Sequence, residues 1–135
     1  MTIKIIDYGL ECMPFRAHEN DAGADVYSPI DLVLDPHKTW KIPLHFGLEL
    51  PDGMVGFVFP RSSLSARGIV CQLPPIDSGY RGEIHAVVTN TSNEPYLIEK
   101  NDRIGQLVIF PVVTPVFVTE KSAERGSGAF GSTGK

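Results

Sequence analysis

Apolar and polar positions alternate with period two through much of the chain. From Thr39 to Leu50 the even positions are Trp40, Ile42, Leu44, Phe46, Leu48 and Leu50, and the odd ones are Thr39, Lys41, Pro43, His45, Gly47 and Glu49. Such alternation places one row of side chains in a core and the other toward solvent or a partner, as in a half-buried strand. Pro43 and Gly47 mark an edge or a bend within this stretch. Pro51-Asp52-Gly53 reads as a turn, and Met54 to Phe59 as the next strand. Ile84, Ala86 and Val88 alternate again. A turn over 91–95 precedes Tyr96-Leu97-Ile98, a second turn falls at Lys100-Asn101-Asp102, and a β-branched run extends from Ile104 to Val118. Helix signals are confined to Ser62 to Arg67, one short turn with a serine at its N-cap. Many short strands at regular spacing predict an all-β sandwich or barrel. No internal repeat interrupts it. The expected organisation is one domain over residues 1–120 and a glycine-rich C-terminal arm over 121–135.

Composition supports this. A chain of 135 residues, 42% of them apolar, suits one compact core. Its 13 glycines and 11 prolines point to many turns in a folded protein. The net charge of −4 argues against a general nucleic-acid binder, which needs a basic face. A local arginine cluster can still hold a small phosphorylated ligand. Cys12 and Cys71 are far apart with no CxxC partner, so they read as free core thiols. The first residues show no basic flank followed by an apolar stretch, so no signal peptide is expected. Without secretion, the sequon Asn90-Thr91-Ser92 is a chance match. The longest charge-free stretch, Ile104 to Thr119, is broken by Pro111 and Pro115 and falls short of the ~18–20 residues a membrane span needs. The expectation is a soluble cytoplasmic protein, in a host's cytoplasm if phage-encoded. The histidines 18, 37, 45 and 85 share no spacing, which favours surface or satisfied roles over metal ligation.

Five segments carry candidate chemistry. The tail from Arg125 reads Arg-Gly-Ser-Gly-Ala-Phe-Gly-Ser-Thr-Gly-Lys. It cannot build a core, so alone it should be mobile. Gly126, Gly128 and Gly131 match GxGxxG, but no strand and helix flank them, and a Walker A reading of Gly134-Lys135 fails as well. What remains are glycine amides, Ser132, Thr133 and Arg125 as polyphosphate donors, and Phe130 as a face for a base. Arg61, Ser62 and Ser63 stand where a strand gives way to a helical turn, which reads either as an anion site or as a plain cap. Ile76-Asp77-Ser78-Gly79-Tyr80 reads as a turn, or, if it lines a pocket, as a carboxylate placed to activate water beside an aromatic for a sugar. Gln106 interrupts an apolar strand in Asp102 to Leu107. In Ala22 to Ser28, Asp25 reads as a turn former.

Together and in order, these segments resemble the five motifs of the homotrimeric dUTPase family, from Ala22 to Lys135. The resemblance implies a jelly-roll β-barrel or sandwich with one short helix and a flexible C-terminal arm. It further implies a homotrimer whose three sites lie between subunits, each closed by an arm that folds on substrate. By this resemblance Asp77 matches the catalytic aspartate that activates water against the α-phosphate of dUTP, giving dUMP and pyrophosphate. Tyr80 matches the aromatic beneath the deoxyribose, and the hairpin from Gln72 through Ile76 the backbone that pairs with uracil. Arg61, Ser62 and Ser63 match the holders of the α- and β-phosphates, and Gln106 a phosphate-contacting glutamine. Asp25 matches a supporting carboxylate. Arg125, Ser132 and Thr133, with Gly131 among them, match the γ-phosphate clamp, and Phe130 the residue that stacks on uracil. Mg²⁺ is implied as cofactor, held mainly by the triphosphate and water and not by direct protein ligands. Removal of dUTP keeps uracil out of DNA and supplies dUMP for thymidylate synthesis. The chain departs from the family pattern in Ser78-Gly79 after Asp77, in Pro74-Pro75 where a glycine is usual, in a shortened Leu64 to Gly68, and in Ala129. A dCTP deaminase of the same fold and a regulatory, protein-binding dUTPase of phage type are the alternative functions.

Overall fold

Short strands with a turn every few residues leave each strand only one or two inward side chains, so several must share one core. The structure, a computed structural model, describes residues 1–124. Its elements in chain order are β1 (Lys4–Asp7), β2 (Ala24–Tyr27), β3 (Leu32–Leu34), β4 (Thr39–Pro43), β5 (Phe46–Glu49), β6 (Met54–Pro60), α1 (Ser62–Ser65), β7 (Ile69–Cys71), β8 (His85–Asn90), β9 (Tyr96–Ile98), β10 (Arg103–Pro111) and α2 (Glu120–Glu124). All pairings are antiparallel, in four small sheets ordered β1-β5, β2-β10-β6, β3-β9 and β4-β8-β7. The all-β expectation holds. The strands are joined as separate sheets, and among the described residues none closes into a continuous barrel. One apolar cluster, including Leu34, Ile42, Phe46, Ile69, Ile98 and Ile104, lies between them. Each such side chain contributes about 1.5–3 kcal/mol by leaving water.

The alternating run over 39–50 is two strands in two sheets, not one. It breaks at His45, whose φ of +64° turns the chain between β4 and β5. The even positions stay buried across the break from Ile42 to Leu50, but Trp40 does not join them. It lies at the outer end of β4, an edge strand, and is 44% exposed. The run from Ile104 to Val118 is likewise shorter as a strand than its composition predicts. β10 stops at Pro111, and residues 112–119 are exposed without strand pairing. Pro111 and Pro115 lack the N–H a ladder needs. A second helix, α2, was not foreseen; the Thr119 hydroxyl accepts the Ser122 N–H at 3.0 Å and caps it. Asn90 of the sequon is fully buried, its side-chain nitrogen donating to the carbonyls of Leu34 and Glu94 at 2.8 and 2.7 Å, so it carries structure and not sugar.

Phe46→Ala is expected to lower unfolding free energy by about 3–5 kcal/mol in urea titration. Trp40→Ala should cost less than half as much. Equal losses would contradict the assignment of Trp40 to the surface.

Candidate active site

After β7 the chain continues as an extended arm of the β4-β8-β7 sheet. The Gln72 N–H donates to the Val87 carbonyl at 2.8 Å, one step beyond the β7–β8 ladder. Four residues on, Ile76 is pinned to β6. Its N–H donates to the Gly56 carbonyl at 2.8 Å, and the Gly56 N–H donates back at 3.0 Å. The Ile76 side chain is buried in the core. A Cβ at Gly56 would lie 3.2 Å from Cδ1 of Ile109 and 3.5 Å from Ile76, which is why a glycine fits there. Between the anchors, Pro74 and Pro75 carry no N–H. The Leu73 amide, the carbonyls and the Gln72 side chain are the polar groups this segment can offer a ligand.

The loop 77–83 follows directly. Asp77 is exposed at its start, and its carbonyl accepts the Tyr80 N–H at 3.0 Å. The Tyr80 hydroxyl donates to the Glu83 carbonyl at 2.7 Å. Its ring lies over Gly82, where a Cβ would fall 2.7 Å from Cζ of Tyr80. Ile84 returns the chain to the core by donating to the Phe46 carbonyl at 2.8 Å. A groove of about 200 Å³ runs along this loop, lined by Gln72, Ile76, Asp77 and Tyr80 together with Lys41, Glu83 and His85. Four of the sequence-predicted residues therefore meet in one place. Lys41 and His85 went unremarked as site residues. The signal was available in the alternation, since both occupy the outward row of their strands.

The predicted phosphate residues lie elsewhere. Arg61, and not Ser62, is the N-cap of α1, and no side chain caps the helix. The Arg61 carbonyl accepts the N–H groups of Leu64 and Ser65. Ser62 and Ser63 are exposed on the first turn. Asp25 is not a turn former: it sits within β2, opposite Gln106 of β10, with Phe59 of β6 on the other side of Gln106. The Asp25 carboxylate pairs with Arg103 at 3.5 Å. A Cβ at Gly23 would collide with the Gln106 side chain, so the glycine lets the chain pass over it. Asp25, Arg61 and Arg103 line a second, more polar concavity of about 560 Å³ that shares no lining residue with the first. Of the predicted set, Gln72, Ile76, Asp77 and Tyr80 thus line one concavity and Asp25 and Arg61 the other, while Ser62, Ser63 and Gln106 line neither. Arg125, Phe130, Gly131, Ser132 and Thr133 lie outside the described residues.

Among the described residues two titrating groups are shifted. The Asp7 carboxylate accepts the N–H groups of Leu10 and Gly9, which hold it below the ordinary carboxylate range. Burial pushes the Cys71 thiol, next to Gln72, up to about 11. Both cysteines are free, but Cys12 is exposed and is no core thiol. Among the described residues no three histidines, cysteines or carboxylates come together. A Mg²⁺ ion carried by phosphate oxygens and water needs no such cluster.

Known proteins place this geometry. A family model described as dUTPase matches residues 11–134. The chain is 44% identical over 131 residues to deoxyuridine 5'-triphosphate nucleotidohydrolase of Cutibacterium acnes, covering 92% of this chain and 86% of that one. To the enzyme of the same name in Tropheryma whipplei it is 40% identical, covering 100% and 97%. Among solved structures it is similar to the dUTPase of phage phi11 of S. aureus, with a TM-score of 0.82, 26% identity, and 88% and 96% coverage. A Staphylococcus bacteriophage 80alpha dUTPase solved with dUpNHpp gives a TM-score of 0.81 at 30% identity, covering 99% of each chain. The β-rich fold is the one these dUTPases share.

The thiol shift has a direct readout. Near pH 8, alkylation of the folded chain is expected to modify Cys12 and spare Cys71, which reacts only as the pH approaches its raised value or after unfolding. Mass spectrometry locates the adduct. Equal labelling of both thiols in the folded state would contradict the burial of Cys71.

Proposed function

The chain belongs to the dUTPase family of dUTP diphosphatases, and from that premise we propose that it hydrolyses dUTP to dUMP and pyrophosphate at sites shared between the subunits of a homotrimer. The observation that carries this reading is the separation of Asp77 and Tyr80 from Arg61 and Asp25 into two concavities with no common residue. A base and a phosphate clamp that act on one substrate must face it together. A second copy, presenting its Arg61 concavity to the first copy's Asp77 groove, satisfies that requirement. The exposed run after β10 supports assembly: Val113, Val116 and Phe117 are 83%, 65% and 89% exposed. Contiguous apolar surface of this kind marks an interaction face.

In the assembled site the hairpin from Gln72 to Ile76 presents its polar groups to uracil, and the Tyr80 ring packs beneath the deoxyribose. Asp77 takes a proton from water as the water oxygen bonds to the α-phosphorus. The bond from that phosphorus to the bridging oxygen breaks, and pyrophosphate leaves. A positioned base contributes roughly 10²–10⁴-fold, and cationic stabilisation of the phosphate oxygens supplies much of the rest. Arg61, Ser62, Ser63 and Gln106 of another subunit hold the phosphates. Asp25 orients Arg103 by their ion pair. Arg125, Gly131, Ser132 and Thr133 of the arm, residues 121–135, close on the γ-phosphate, and Phe130 stacks on uracil. Mg²⁺, when bound with the triphosphate, would neutralise phosphate charge. The product dUMP serves thymidylate synthesis, and loss of dUTP keeps uracil out of DNA. No described helix is long and apolar enough to cross a membrane, in keeping with action on a soluble nucleotide.

Pyrophosphate release with dUTP, dTTP, dCTP and UTP, with and without Mg²⁺, tests the reading. Release from dUTP alone, dependent on Mg²⁺, is the expected result; conversion of dCTP to dUTP, read by nucleotide analysis of the same incubations, would contradict it. Asp77→Asn should keep nucleotide affinity within a few-fold while kcat falls by about 10²–10⁴-fold. Unchanged turnover in that variant removes Asp77 as the base.

A further inference from the structure

We propose that Tyr8 and Glu83 are specificity-determining positioning residues, which hold the Tyr80 ring where it excludes a ribose 2′-hydroxyl. The inference rests on the reading of Tyr80 as the residue beneath the sugar. Tyr80 is 45% exposed, so packing alone does not fix its ring. Rejecting one hydroxyl by contact requires that the ring stay within about 0.5 Å of its place. Its anchor is the hydrogen bond from its own hydroxyl to the Glu83 carbonyl at 2.7 Å. The ring is therefore only as well placed as the backbone at 81–83.

Two long-range contacts hold that backbone. The Glu83 carboxylate accepts the His45 N–H at 2.9 Å, 38 residues away in sequence. That N–H faces the loop because His45, at the β4–β5 break, has a φ of +64° and leaves the strand ladder. The Tyr8 hydroxyl donates to the Arg81 carbonyl at 2.6 Å, across 73 residues. Tyr8 is set in turn at both ends. Its N–H donates to the His45 carbonyl at 3.0 Å, and the Asp7 carboxylate accepts the N–H groups of Gly9 and Leu10 at 2.8 and 2.7 Å, turning the chain after β1. The loop also lies directly on β5, where a Cβ at Gly47 would come 2.6 Å from the Gly82 carbonyl oxygen. His45 thus ties the two contacts together, its N–H to Glu83 and its carbonyl to Tyr8. Both carbonyls flanking Gly82 are occupied by tyrosine hydroxyls, one from Tyr8, the residue after β1, and one from Tyr80 itself. This is more restraint than a surface turn needs for stability. It restrains the segment that carries the sugar-facing ring.

The test is the preference for dUTP over UTP, as the ratio of kcat/KM values, for the full chain, Tyr8→Phe, Glu83→Ala and Glu83→Gln. Tyr8→Phe should lower the preference about fivefold, the factor that corresponds to one hydrogen bond of ordinary net worth. Glu83→Ala should lower it at least as much. Glu83→Gln, whose side-chain oxygen can still accept the His45 N–H, should restore it to within about twofold. An unchanged preference in Tyr8→Phe and Glu83→Ala overturns the inference, as does an equal loss on both substrates, which marks a merely structural role. Should Glu83→Ala fail to fold, Tyr8→Phe decides alone, because it removes one hydroxyl from an exposed ring. A full chain that cleaves dUTP but does not prefer it to UTP sinks the reading of Tyr80 and this inference with it. A full chain inactive on dUTP sinks the proposed activity instead.

Discussion

The proposed nucleotide-facing half of the site rests on one pair of backbone hydrogen bonds, those exchanged by Ile76 and Gly56. They are the point where a connection of short, proline-containing chain becomes part of the core. Each bond contributes about 1 kcal/mol net, and burial of the Ile76 side chain adds roughly 2 kcal/mol more. Asp77 is the next residue. As the proposed base, which would have to meet water at a set distance from phosphorus, it inherits its precision from this anchor, since its own side chain is exposed. Gly56 is the residue that permits the approach, and Ile109 of β10 closes the space behind it. The central sheet β2-β10-β6 therefore supports both halves: β6 holds the hairpin, and β2 and β10 carry Asp25 and Gln106.

The chain keeps its proposed base and its arginine concavity apart, and in the proposed reading activity depends on assembly. The overall charge of −4 is no obstacle to binding a triphosphate, because within the polar hollow Asp25 pairs with Arg103 and Arg61 lines it as a donor for phosphate. Among the described residues Val113, Val116 and Phe117 stand largely exposed, and they offer apolar area that a neighbour would bury.

Much of this was legible in sequence. Period-two alternation located the buried row from Ile42 to Leu50 and the pair Ala86 and Val88, because burial enforces that period whatever the topology. It did not show the break at His45: a histidine adopts positive φ too rarely to serve as a turn signal. Strands of three or four residues, such as β1, β3 and β7, hold too few alternations to be read. Asp25 was taken for a turn former on composition, but tertiary pairing with β10 makes it a strand residue. The extent of β10 was overread because apolar character without a partner looks the same in one dimension as apolar character in a ladder. The candidate residues themselves were recognisable from five ordered segments. The placement of Asp77 and Tyr80 in one concavity and of Asp25 and Arg61 in another was not, since it is a property of how the strands and the hairpin fold in space. The roles of Tyr8, His45 and Glu83 were hidden for the same reason, being contacts across 38 to 73 residues.

One measurement bears most directly on the shared site. Asp77→Asn and Arg61→Ala chains, each inactive alone, are unfolded together, refolded as a mixture, and assayed for pyrophosphate release from dUTP. Sites built between subunits predict that activity returns to about a quarter of the wild-type value, since random mixing gives that share of sites both intact halves. A mixture as inactive as its components, despite verified co-assembly, would mean that each site is made within one chain and would contradict the account.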